Sequence, residues 1–154
     1  MTAARYGLLV VLCSMLAVVA GPSAYAEDET SLKRPIVMVC AHGTVKSVMA
    51  SEYFNKEARK RGLSFRATAR GVDPDSEVPS EIARALAADG IDVSAFKPRK
   101  LMPDDASQSP LLIGIGVDLA GFSNDEGASI VQWSDIPPAS VDFAASKAAM
   151  MVRI

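Results

Sequence analysis

The sequence predicts an α/β fold: a single three-layer domain whose four-stranded parallel sheet carries helices on both faces. Three observations predict it. Short apolar runs rich in β-branched residues alternate with stretches of helical spacing along the chain. Two of those runs, Pro35–Val39 and Leu111–Ile115, have no polar residue, as strands covered on both faces require. The 154 residues fit one domain, and no internal repeat or low-complexity linker divides them.

Composition narrows the function. Apolar residues make up 49% of the chain, which excludes a disordered protein. Sixteen basic side chains against 18 acidic ones leave a net charge of −2, without the basic excess that a nucleic-acid binder carries.

Residues 1–26 read as a signal peptide. Arg5 is the only charge, the apolar stretch Gly7–Val19 follows, and Ala24 and Ala26 stand at the −3 and −1 positions of a cleavage site before Glu27. The stretch is short for a membrane span, so no stable span is expected after cleavage and an exported, periplasmic protein is expected. An uncleaved N-terminal anchor is the alternative. Cleavage removes Cys13 and leaves Cys40 as the single thiol, so no intramolecular disulfide can form. A lone thiol in an oxidising compartment is either buried or functional.

The elements follow in order. Residues 27–34 are a polar lead-in, and the folded domain is expected over 35–154. Pro35–Val39 is the first strand, ending at Cys40. A tight loop over Ala41–Lys46 leads into a helix of about Val45–Arg61, with Val45, Val48, Met49 and Tyr53 on one face and the basic turn Arg59-Lys60-Arg61 before Gly62. Leu63–Ala69 alternates and is read as the second strand. Pro79 opens a second helix that turns Ile82, Ala85 and Leu86 inward and that Gly90 closes. Ile91–Pro103 is expected to be irregular. Pro110–Val117 and Ile130–Trp133 are the third and fourth strands, and Ala139–Val152 is a closing helix.

Ligands of such sheets sit beyond the C-terminal strand ends, where Cys40 lies. The amides of a compact loop at a helix N-terminus form an anion site, and the same field favours a thiolate. Gly43 permits the positive φ that a tight cradle needs. Lys46 adds a positive charge and Ser47 a hydroxyl that can donate to the sulfur. A nucleophilic cysteine beside an oxyanion cradle is the functional reading; a buried structural cysteine is the other. His42 is either a rim group near the thiol or a surface loop side chain. Asp73 and Asp75 read as a solvated turn, since no further ligand completes a metal set. Trp133 reads as core, and Lys97, Arg99 and Lys100 as a solvated loop.

Cys40, five residues, a basic residue and Ser47 resemble the phosphate loop of low-molecular-weight protein tyrosine phosphatases and the related thioredoxin-linked arsenate reductases, which carry Cys, five residues, Arg, Ser. Ser47-Val48-Met49-Ala50-Ser51 resembles that family's "Ser-Gln-Met-Ala-Glu" helix start, and Ala69–Pro74 its "Ser-Ala-Gly-Thr" segment. Asp89–Ser94 and Lys97–Leu101 resemble its "Gly-Ile-Asp-Ser" and "Pro-Lys-Leu" stretches, and Gln132–Pro138 its "Trp…Asp-Pro" loop. The resemblance covers about Pro35–Ala145 in the family's order. It implies that Cys40 attacks phosphorus to form a cysteinyl phosphate, and that Ala41, His42, Gly43, Thr44, Val45 and Lys46 hold the phosphoryl oxygens. It implies that Ser47 stabilises the thiolate, and that a late-loop Asp protonates the leaving group and then activates water. The ligand would be phosphate or another oxyanion, with a phosphotyrosine protein as a candidate partner. No cofactor and no metal are implied.

The chain departs from that pattern in three places. Lys46 stands where the family has Arg, offering a point charge in place of a planar fork. Losing one such bond costs about 1.5–3 kcal/mol, a tenfold to hundredfold effect on rate. The late-loop Asp-Pro is missing: Ile136 or Pro137 occupies the acid's place, and Asp135, one or two residues earlier, is the candidate acid. Extra cysteines for a disulfide relay are absent. Three functions therefore compete: a phosphatase with weakened machinery, an impaired oxyanion-binding or thiol-sensing module, and a single-cysteine arsenate reductase-like protein.

Overall fold

The computed structural model of the chain describes residues 34–122 and 128–154; the expected signal peptide and all of the lead-in except Arg34 lie outside them. Strand β1 (Ile36–Cys40) is followed by helix α1 (Lys46–Lys60), β2 (Ala67–Gly71), α2 (Ser80–Ala88), α3 (Pro103–Gln108), β3 (Leu111–Ile115), β4 (Ser129–Trp133) and α4 (Phe143–Met151). The sheet is parallel throughout and ordered β2-β1-β3-β4. The two unbroken apolar runs form its centre, and the more polar β2 and β4 form its edges, as two-faced burial of inner strands demands. Because the chain leaves β1 for β2 on one side and returns to β3 on the other, the sheet reverses its winding between β1 and β3. Loops diverge there and leave a crevice at the strand ends.

Strand alternation sends β1 into two cores. Met38 and Cys40 pack with Met49 and Tyr53 of α1, Ile82 and Leu86 of α2, and Met150 of α4. Val37 and Val39 pack with Leu112, Leu101, Leu119 and Ala106 of α3. Helices thus cover both faces, but the second layer is thin: one six-residue helix and a short 3-10 turn at Ala120–Phe122.

Three elements differ from the sequence expectation by more than two residues. β2 begins at Ala67 rather than Leu63, because the buried Asn55 side chain brackets that residue, donating to the Ala67 carbonyl at 3.0 Å and accepting from its amide at 2.8 Å. Leu63 and Phe65, whose alternation suggested an earlier start, are exposed. β2 runs on to Gly71, which pairs in register with Cys40. α3 begins at Pro103, the last residue of the stretch read as irregular, and was not expected. Its start signals are present: Pro103 stands in the first turn, and Asp105 accepts from the Met102 amide at 2.9 Å. α4 begins only at Phe143, where Asp142 caps it by accepting from the Ala145 amide at 2.8 Å. The preceding residues, 136–142, form a separate loop.

The helical layer is tied together at Asp89. Its carboxylate accepts from the Tyr53 hydroxyl at 2.5 Å and from Lys147 Nζ at 2.7 Å, joining α1, the end of α2 and α4. The Lys147 hydrogen bond, then the Tyr53 one, hold the Asp89 carboxyl below its ordinary value of 3.8. A carboxyl depressed by folding contributes stability that is fully present above that ordinary value and is lost as pH falls through the folded one. Acid unfolding followed by circular dichroism should therefore show a steeper loss of stability below about pH 4 in the native chain than in Asp89→Asn. Equal slopes would refute the linkage.

Candidate functional site

The Cys40 loop starts where β1 ends and finishes where α1 begins. α1 has no side-chain cap at its N-terminal Val45 and no acidic residue in its first turn, so its leading amides are not satisfied from within. Among the described residues, the amides of Ala41 through Lys46 donate to no other group. Six consecutive unpaired donors at a helix start, with the helix dipole behind them, are an anion cradle in chemical terms.

The sulfur lies at its base. Cys40 Sγ is 3.2 Å from Ser47 Oγ and accepts from the Ser47 amide at 3.4 Å. Ser47 is fully buried and Cys40 is 6% exposed, so this polar pair sits below the surface, with Cys40 lining a cavity. The cavity, of about 250 Å³, is floored by Cys40, Ala41, His42, Val45 and Lys46. Ile115 and Gly116 wall it at the end of β3, Asp75 on the β2 side, and Pro138–Ser140 on the late-loop side.

The loop is braced from behind by the segment after β2. The amides of Val72, Asp73 and Asp75 donate to the carbonyls of Cys40, Ala41 and His42 at 3.1, 2.9 and 3.1 Å. These bonds use the carbonyls and leave the loop's own N–H groups free. Two glycines make the approach possible. Gly43 has φ of 66°, and a Cβ on it would stand 2.7 Å from the Gly71 nitrogen. A Cβ on Gly71 would stand 2.8 Å from the Gly43 nitrogen. The buried Thr44 donates its hydroxyl to Asp75 Oδ2 at 3.0 Å, and His42 Nδ1 lies 3.5 Å from Asp75 Oδ1.

Most of the sequence-derived site residues are therefore brought together. Cys40, Ala41, His42, Val45 and Lys46 line the cavity, Ser47 lies under the sulfur, and Gly43 and Thr44 are buried behind the loop. Asp135 is next to Ile136, whose carbonyl Lys46 holds, but its side chain turns to Arg153. Its two oxygens accept from Arg153 at 2.7 and 2.6 Å, and it does not line the cavity. Lys46 lines the cavity, but its ammonium donates to the Ile136 carbonyl at 2.7 Å and so fastens the late loop to the start of α1. The residue that sequence reasoning set aside is Asp75. The signal for it was topological: parallel pairing of β1 with β2 places the loops beyond both strands side by side. Trp133 is core, with the Arg153 guanidinium 6.0 Å from its ring centre. Lys97, Arg99 and Lys100 are exposed and do not line the cavity. The described residues contain no group of three or more potential metal-ligating side chains and no helix long and apolar enough to cross a membrane.

The same architecture occurs in solved structures. YfkJ from Bacillus subtilis superposes with a TM-score of 0.64 at 19% identity, covering 77% of this chain and 87% of its own. A thioredoxin-dependent arsenate reductase from Corynebacterium glutamicum gives 0.64 at 20% identity, covering 80% of this chain and 60% of its own. An arsenate reductase from Archaeoglobus fulgidus gives 0.57 at 26% identity, covering 76% of this chain and 90% of its own. No curated protein matches the sequence. The sequence model of the low molecular weight phosphotyrosine protein phosphatase family matches residues 35–122, from the start of the Cys40 strand through β3 and the turn beyond it. With its cysteine loop, its parallel sheet and more than half its length in agreement, the chain belongs to that family.

Proposed function

We propose that the chain is a cysteine-dependent phosphatase that hydrolyses phosphate monoesters through a cysteinyl phosphate. The observation that carries this reading is the setting of the Cys40 sulfur. It touches the Ser47 hydroxyl and amide at the base of six unpaired loop amides, and it opens onto a cavity of about 250 Å³. The Ser47 amide donates to the sulfur, and the loop amides can receive the three non-bridging oxygens of a phosphoryl group. Thiolate attack on phosphorus would break the ester P–O bond, and water would then break the S–P bond. A phosphotyrosine side chain belongs to the class of ester this cavity could take, and the charge pattern of residues 1–26 favours an exported, periplasmic setting.

A second reading is supported by two contacts. Lys46 is committed to a carbonyl and Asp135 to Arg153, which would suit a module that binds oxyanions with little turnover. Acid-quenching the mature chain during turnover of 4-nitrophenyl phosphate separates the two. Phosphatase action is expected to leave phosphate on the Cys40 peptide, read by mass spectrometry, together with released nitrophenolate. Alkylation of Cys40 that phosphate slows, with no phosphopeptide and no product, would instead establish the binding module.

A further inference from the structure

We infer that His42, oriented by Asp75, carries the proton in the reaction proposed above, a role that Asp135 is not placed to fill; the inference rests on the cysteinyl-phosphate reading. Four titratable side chains line the cavity: Cys40, His42, Lys46 and Asp75. Cys40 is the nucleophile. Lys46 gives its ammonium to the Ile136 carbonyl. The late loop contributes only Pro138, Ala139 and Ser140, while its carboxylate, Asp135, is held by Arg153. His42 and Asp75 remain, and they face each other.

Asp75 is held on three sides. Oδ2 accepts from the Thr44 hydroxyl, Oδ1 stands 3.5 Å from His42 Nδ1, and its amide donates to the His42 carbonyl. The Thr44 hydroxyl and the bond from the Asp75 amide to the His42 carbonyl fix the Asp75 side chain beside the imidazole, which makes Asp75 the orienting partner and His42 the carrier. With Asp75 on the Nδ1 side of the ring, Nε2 is the nitrogen left to exchange a proton with substrate. His42 lines the cavity with a side chain 65% exposed, so it is open to a leaving group.

In the first step the Cys40 sulfur supplies the electron pair of the new S–P bond. The P–O ester bond breaks, and the leaving oxygen takes the proton from Nε2. In the second step Nε2 takes a proton from water as the water oxygen attacks phosphorus. The S–P bond then breaks, returning the thiolate and releasing inorganic phosphate. Asp75 acts throughout as a positioning residue.

The test compares two esters in the full chain. Phenyl phosphate needs a proton on its leaving group; 4-nitrophenyl phosphate needs one far less. His42→Gln is expected to lose about a hundredfold in kcat on phenyl phosphate, with a loss about tenfold smaller on 4-nitrophenyl phosphate. Asp75→Asn should show the same pattern with smaller losses, and the double variant should be no worse than His42→Gln. Added imidazole should partly restore phenyl phosphate turnover by His42→Ala. Equal losses on both esters would overturn the assignment, as would a larger loss in Asp75→Asn than in His42→Gln, which would move the proton to Asp75. Phosphate on Cys40 in the quenched variants keeps the two readings apart. Its presence with equal losses overturns only His42, and its absence overturns the nucleophile.

Discussion

Cys40→Ser is expected to abolish turnover of aryl phosphates, a fall on the order of 10⁴-fold or more, as removal of a covalent nucleophile does elsewhere. The reason lies in the loop. The sulfur accepts from the Ser47 amide beneath the loop's unpaired amides, and thiols as a class are far stronger nucleophiles near neutral pH than hydroxyls. A hydroxyl in the same place starts far from ionisation, and no general base touches Cys40 Sγ among the described residues. The substitution is nearly isosteric, so the fold and the cradle should persist. Circular dichroism should be unchanged, and phosphate should still bind by calorimetry. Loss of activity with binding retained would assign the sulfur to chemistry rather than to structure. Activity that survives Cys40→Ser would refute the nucleophile.

The second large effect is structural. Gly43→Ala or Gly71→Ala would put a methyl group 2.7–2.8 Å from the opposing backbone nitrogen, a separation that Cβ atoms do not tolerate. At Gly43 the positive φ adds strain of about 1–3 kcal/mol for a non-glycine residue. Backbone cannot give way as a side chain can, so one loop must withdraw from the other. Each substitution should cost about 3 kcal/mol or more of stability in urea titration. Each should also weaken phosphate binding, because the bonds from residues 72–75 to the Cys40–His42 carbonyls would open. A control at Gly62, whose added Cβ meets nothing within 4 Å, bears the φ penalty alone and should leave phosphate binding intact. If Gly71→Ala leaves stability and phosphate binding unchanged, the close approach is not what holds the cradle.

How much of this was legible in the sequence follows from the physics of each feature. β1 and β3 could be read because inner strands admit almost no polar residue. α1 could be read because its face and its Gly62 stop are local. A strand end, a glycine and a helix start within a few residues marked the Cys40 loop as an anion-site candidate, and its reading as a phosphate loop came from the resemblance of Cys40, five residues, Lys46 and Ser47 to the family's loop. β2 was placed too early because Phe65, Ala67 and Ala69 alternate correctly. What decides its start is Asn55, a side chain twelve positions away that only tertiary contact brings near. The placement of Asp135 was hidden for the same reason: its guanidinium partner lies in the last turns of the chain, eighteen residues on. Asp75 was hidden because a carboxylate in a turn gains meaning only when the neighbouring strand's loop closes on it.

The unequal covering of the sheet has a consequence for how the molecule opens. Cys40 faces the thick layer of α1, α2 and α4, while Val37 and Val39 rely on Ala106, Leu101, Leu119 and a short helical turn. Local opening free energies follow the amount of apolar contact that must be broken. The α3 side can therefore detach at low cost while α1 stays docked, and the strand that presents the thiol belongs to the last unit to unfold. Excursions of the thin layer leave the cysteine loop assembled, so the candidate site is insulated from the motions to which the rest of the domain is most prone.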